Sequence, residues 1–186
     1  GGYSHLFITG NKTGSFAATQ VKIHDNKFEK GSHCLWFSGW FESVAYSNTF
    51  LNCNIAIMTS GDTNYAWERW GNDQSAGTSH ANIFEENTFV VDNNSDREPN
   101  EQIYHQDGGK TVIRYNTFDG SNYTLSNCGS GSSQCFFFPY ESHPNWGSNS
   151  DLFAYRAQPL TEVYENSVSG RLSQLFSLRG GSLIMH

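Results

Sequence analysis

A three-residue phrase, asparagine followed by any residue and then phenylalanine, recurs along this chain behind short runs of alternating apolar and polar residues. It reads Asn26-Lys27-Phe28, Asn48-Thr49-Phe50, Asn87-Thr88-Phe89 and Asn116-Thr117-Phe118, with a weaker copy at Asn166-Ser167-Val168. A unit this short cannot bury its own apolar face, so its recurrence predicts a solenoid in which each copy is covered by the next. The residue three before Asn is apolar in every copy: Ile23, Ala45, Phe84, Ile113 and Val163. With strand alternation, that residue and the Phe point inward, while the residues two and four before Asn point outward. The Asn itself is expected at the bend between two strands, where it tolerates unusual dihedrals and bonds main-chain groups or the next Asn.

The intervals between successive Asn residues are 22, 39, 29 and 50. The shortest defines a minimal coil; the longer ones carry insertions or a further, less recognisable coil. Three large insertions are expected at 62–79, 92–101 and 120–150, on the flank of the stack where solenoids often bind their ligands. The composition agrees with a chain of turns and short strands. Asn and Gly number 18 each, only 16% of the 186 residues are charged, and the 37% apolar content is enough for a continuous core.

A net charge of −7 argues against a grip on nucleic-acid phosphates, and no apolar run reaches membrane-spanning length. Of the four cysteines, Cys128 and Cys135 flank a Gly/Ser loop that a disulfide would close, whereas Cys34 and Cys53 lie about one coil apart. The latter two either stack as buried thiols or pair across coils. The sequence begins Gly1-Gly2 and ends on what reads as the start of another coil, which suggests a segment of a longer chain.

In these repeats the chain resembles the right-handed parallel β-helix proteins of the pectin lyase-like superfamily, whose coils carry an Asn-x-Phe phrase after a strand. The resemblance implies an all-β solenoid, a single domain over 1–186 of about six to eight coils, with further coils or caps from a longer parent or a partner. It also implies a secreted or cell-surface protein that binds, and in many members cleaves, an extracellular polysaccharide. The superfamily includes tailspikes and adhesins, so a non-catalytic structural segment is the alternative. Signatures of particular enzymes are missing. There are no adjacent aspartates and no Gly-His-Gly as in polygalacturonases, and the Ile-Asp-His phrase of pectate lyases appears reversed as Ile23-His24-Asp25.

The outward column two before Asn supplies the candidate site: His24, Tyr46, Glu85, Arg114 and Tyr164. A lyase acting on uronates needs a cation for the carboxylate, a base and an acid, and Arg114, His24 or His105, and a Tyr are residue types suited to those parts. His105 and Asp107, two apart on one expected face, could share a proton, although Asp-Gly-Gly also reads as a plain turn. The candidate catalytic set is therefore His105, Asp107, Arg114, Glu85 and His24. Tyr46, Tyr164 and the loop residues Trp67, Arg69 and Trp70 are candidates for stacking on and bonding to sugars. No metal or cofactor is expected; the loop opening at Asp92 lacks the Gly and Glu of an EF-hand and leaves only a looser calcium site as an alternative.

Overall fold

A computed structural model describes residues 4–9, 20–38, 42–60, 81–93, 101–106, 110–123, 138–143, 160–170, 175–178 and 182–186. Among them there is no helix, and all seventeen strands join three parallel sheets. The first sheet stacks β1 (Ser4–Thr9), β4 (His33–Ser38), β7 (Ile55–Ser60), β10 (Glu101–Gln106), β13 (Phe138–His143) and β16 (Phe176–Leu178). The second stacks β2 (Lys22–His24), β5 (Val44–Tyr46), β8 (Asn82–Glu85), β11 (Lys110–Arg114), β14 (Leu160–Tyr164) and β17 (Ser182–Met185). The third stacks β3 (Lys27–Glu29), β6 (Thr49–Leu51), β9 (Thr88–Val90), β12 (Thr117–Gly120) and β15 (Ser167–Gly170). Each turn of chain visits the second, third and first sheet in that order, and the molecule is a parallel β-helix.

The unequal intervals are insertions, not extra coils. Tyr46 pairs directly with Glu85 across 39 residues, and Arg114 with Tyr164 across 50. A solenoid tolerates such loops because closure entropy grows only with the logarithm of loop length. The stretch expected as one insertion over 120–150 is a correction: it contains β13, whose Tyr140 is buried in the core.

Two ladders run up the bend between the second and third sheets. Phe28, Phe50, Phe89 and Phe118 stack with ring centroids 5.0, 5.0 and 4.6 Å apart and planes within 8° of parallel. Beside them, the Nδ2 of Asn26, Asn48, Asn87 and Asn116 each donates to the Oδ1 of the next Asn at 3.0–3.2 Å, ending on Asn166. The unusual backbone belongs to the residue before Asn, which corrects the sequence expectation. Asp25, Ser47, Glu86, Tyr115 and Glu165 all have φ between 53° and 57°. Non-glycine residues resist that region, so the ladder that fixes each following Asn offsets the strain at each preceding residue.

The first sheet closes the core with Leu35, Phe37, Ile57 and Ile103, all inward and buried. A further polar ladder lies inside the coil: Ser43, Asn82, Thr111 and Thr161, five before each Asn and all buried. Ser43 N–H donates to Asn82 Oδ1 at 3.2 Å, and Val21 N–H donates to Ser43 Oγ at 3.0 Å.

Cys34 and Cys53, both buried, form a disulfide between neighbouring coils, with Cα atoms 6.0 Å apart. Of the two sequence alternatives for this pair, the cross-coil bond is the one adopted; Cys128 and Cys135 lie outside the described residues. Closing a loop of 19 residues restricts the unfolded chain by about 3 kcal/mol in the chain-entropy account. Reduction, or the double change Cys34→Ser/Cys53→Ser, should lower the urea midpoint accordingly. An unchanged midpoint under reducing conditions would show that the bond adds nothing.

Candidate functional site

Strand alternation on the second sheet turns one residue of each coil outward at the edge nearest the bend. The register places His24 beside Tyr46, Tyr46 beside Glu85, Glu85 beside Arg114, and Arg114 beside Tyr164. Val163 pairs with Met185, so His186 occupies the sixth place, and its ring lies 6.1 Å from that of Tyr164. At about 4.8 Å per coil the strip is roughly 24 Å long.

Its members contact one another as well as solvent. The His24 and Tyr46 rings are stacked at 4.7 Å with planes 15° apart, and His24 Nδ1 lies 2.7 Å from Asp25 Oδ2. Arg114 donates through Nε and Nη2 to Glu85 Oε2, both at 2.6 Å, and through Nη1 to Tyr164 Oη at 2.9 Å. The Tyr164 hydrogen bond, followed by Glu85, raises the Arg114 pKa above its ordinary value, while partial burial opposes the shift. Tyr115, 48% exposed, stands edge-on to Tyr164 at 6.0 Å with the Arg114 guanidinium 5.7 Å from its ring centre. Its phenol is pushed above the ordinary tyrosine value, chiefly by a hydrogen bond to the Glu165 carboxylate.

Beside the strip, toward the start of the same strands, lies a groove of about 480 Å³. Val44, Ala81 and Ile83 form its apolar floor, and Lys22 and Glu42 its polar rim. The next residues in that register, Val112 and Glu162, are buried and do not line it. Lys110, also buried, reaches Glu162 at 3.9 Å.

The structure therefore brings His24, Tyr46, Glu85, Arg114 and Tyr164 together and keeps His105 apart. His105 is fully buried inside the coil, its Nδ1 3.2 Å from Thr111 Oγ1 and 3.4 Å from Tyr140 Oη. Tyr140 in turn bonds Thr161. An imidazole enclosed in this way cannot meet a substrate on the strip. Asp107, Trp67, Arg69 and Trp70 lie outside the described residues.

Sequence reasoning passed over His186, whereas Tyr115 belongs to the column one before Asn that flanks the strip and is read from the same spacing. His186 follows Tyr164 by 22 residues, the same interval that separates His24 from Tyr46, so the spacing alone could have found it. Among the described residues no three His, Cys, Asp or Glu side chains come together as a metal site. Asp92, at the start of the loop considered for calcium, is held by Asn52: Asn52 Nδ2 donates to Asp92 Oδ1 at 2.8 Å, and Asp92 N–H donates to Asn52 Oδ1 at 2.9 Å. The rest of that loop, from residue 94, lies outside the described residues. Compared with protein-family models, curated proteins and solved structures, the chain matches none.

Proposed function

We propose that this is a secreted or cell-surface β-helix protein, of the pectin lyase-like kind, that binds an extracellular polysaccharide along the outer face of its second sheet. One observation carries the reading: the continuous strip His24, Tyr46, Glu85, Arg114, Tyr164 and His186 beside an apolar-floored groove. Rings that offer faces or edges, interleaved with fixed donors and acceptors at a regular axial rise, suit a chain of pyranose units with alternating C–H faces and hydroxyls. The Cys34–Cys53 disulfide supports an oxidising compartment. Because His105 is enclosed, the strip is read as a binding surface first.

The alternative, a structural segment of a longer fibre, is supported by Phe7 and Met185, which expose 51% and 56% of their surface on the outermost described strands β1 and β17. Isothermal titration against a panel of soluble oligosaccharides separates the two. The wild-type protein should bind at least one member, and Tyr46→Ala and Tyr164→Ala should each weaken binding about tenfold, the order expected for a lost ring contact. Absence of binding across the panel, or alanine variants that bind as well as wild type, would leave the structural segment as the reading. Unsaturated or new reducing ends appearing during the titration would extend the proposal to catalysis.

A further inference from the structure

The charges on the same face bear on which glycan it can take. Among the described residues, the outward positions of the second sheet and its bend carry three cations, Lys22, Lys110 and Arg114. They carry six carboxylates: Asp25, Glu42, Glu85, Glu86, Glu162 and Glu165. With histidines neutral the difference, 3 − 6, is a formal −3. Two of the cations are already matched. Lys110 is buried 3.9 Å from Glu162, and two nitrogens of Arg114 lie 2.6 Å from one oxygen of Glu85. Lys22 lies on β2, at the far end of the face from Tyr164.

A carboxylate on a bound sugar would thus meet a guanidinium whose charge is already balanced, with Glu86 and Glu165 in the bend on either side of Tyr115 in register. Like charges brought together on this face disfavour such a partner. A neutral sugar meets no such penalty. Its hydroxyls can donate to the free lone pairs of Glu85 and accept from the remaining guanidinium hydrogens, while its C–H faces lie on the His24/Tyr46 and Tyr164 rings.

We infer that the strip selects an uncharged pyranose chain and rejects polyuronates, Glu85 acting as the specificity-determining residue that cancels Arg114. The inference rests on the glycan-binding reading above and names the class of ligand. Glu85 is a positioning residue as well, since it fixes the guanidinium plane.

The test uses the wild-type chain and Glu85→Gln, titrated at neutral pH and low salt. The probes are hexamers of neutral cello-, xylo- and manno-oligosaccharides, hexagalacturonate, and a chitosan hexamer. Wild type should bind at least one neutral probe and bind hexagalacturonate at least about tenfold more weakly. Glu85→Gln, which leaves the Arg114 charge unopposed, should shift the neutral-to-uronate affinity ratio about tenfold toward the uronate. A general loss of packing would lower both affinities without moving that ratio. Preferential binding of hexagalacturonate or of the chitosan hexamer by wild type overturns this inference alone. Failure to bind any probe removes the glycan-binding reading and this inference with it.

Discussion

Replacing Phe89 by alanine should cost about 4 kcal/mol of stability, the order found for deleting a fully buried ring. Phe89 is 0% exposed and lies between two others, 5.0 Å from Phe50 and 4.6 Å from Phe118. Its removal takes away the transfer free energy of the ring and both stacking contacts. It also leaves a cavity that neighbouring coils cannot collapse into without breaking the ladder beside it. Phe28, 8% exposed and stacked only on Phe50 among the described residues, should be less sensitive to the same change. Phe89→Leu keeps most of the volume and should cost about 1 to 2 kcal/mol. Urea unfolding followed by circular dichroism distinguishes these outcomes. Stability in a solenoid is a sum over neighbours, so Phe89→Ala should also broaden the transition as the two halves uncouple. An equal loss from Phe28→Ala and Phe89→Ala would contradict the ladder account.

The same columns show where sequence reasoning reached and where it stopped. Two of the three sheets could be read because each coil repeats one phrase at their shared bend, and a repeated Asn with a repeated Phe fixes register as well as strand. The first sheet carries no such phrase. His33–Ser38, Ile55–Ser60, Glu101–Gln106 and Phe138–His143 share only alternation, which does not say which parity faces inward. Hence His105 reads as a surface imidazole, whereas the register with Phe37 and Thr59 turns it inside. In β13, Pro139 disguises the strand, since proline is expected only at edges or bulges. The pairing with β10 runs from Glu101 and Phe138 to Ile103 and Tyr140 without a bridge at Pro139, the same gap that β1/β4 and β4/β7 show at this place, so the proline gives up no pairing that its neighbours make.

The strained bend was hidden for a different reason. Asp25, Ser47, Glu86, Tyr115 and Glu165 share neither glycine nor a common side chain, so no residue type announces the left-handed backbone. The outer strip was visible because a column defined two before Asn needs only the ruler. The same ruler sets Glu85 beside Arg114 on adjacent coils, so the cross-coil ion pair between them is legible in the sequence, and the structure closes it at 2.6 Å.

If the Asn ladder is what holds those bends, Asn87→Ala should cost about 3 to 4 kcal/mol, more than a typical single hydrogen bond. Asn87 Nδ2 donates to Ala45 O at 2.8 Å and to Asn116 Oδ1 at 3.1 Å, while its Oδ1 accepts from Asn48 N–H and Asn48 Nδ2, both at 3.0 Å. Asn116 Oδ1 keeps the Asn87 N–H, and Asn48 Nδ2 keeps Ile23 O and Tyr46 O. The groups that lose these bonds are the Asn48 amide and the Ala45 carbonyl, each at about 1 to 3 kcal/mol when buried. Asn26→Ala is the control. Asn26 lies at the exposed end of the ladder and, among the described residues, its side chain donates only to His24 O and Asn48 Oδ1, so its loss should stay below about 1 kcal/mol. Asn87→Asp separates hydrogen bonding from shape, because the carboxylate keeps the acceptor for Asn48 but faces Ala45 O and Asn116 Oδ1 with no proton to give. Burial and those two oxygens would raise its pKa in the folded state above the unfolded value. The folded protein then holds the proton more tightly, so this variant should be weakest above the raised pKa and recover toward wild type as pH falls through it. A deficit that does not shrink on acidification, after correction for the wild-type profile, would show that the ladder acts by packing alone.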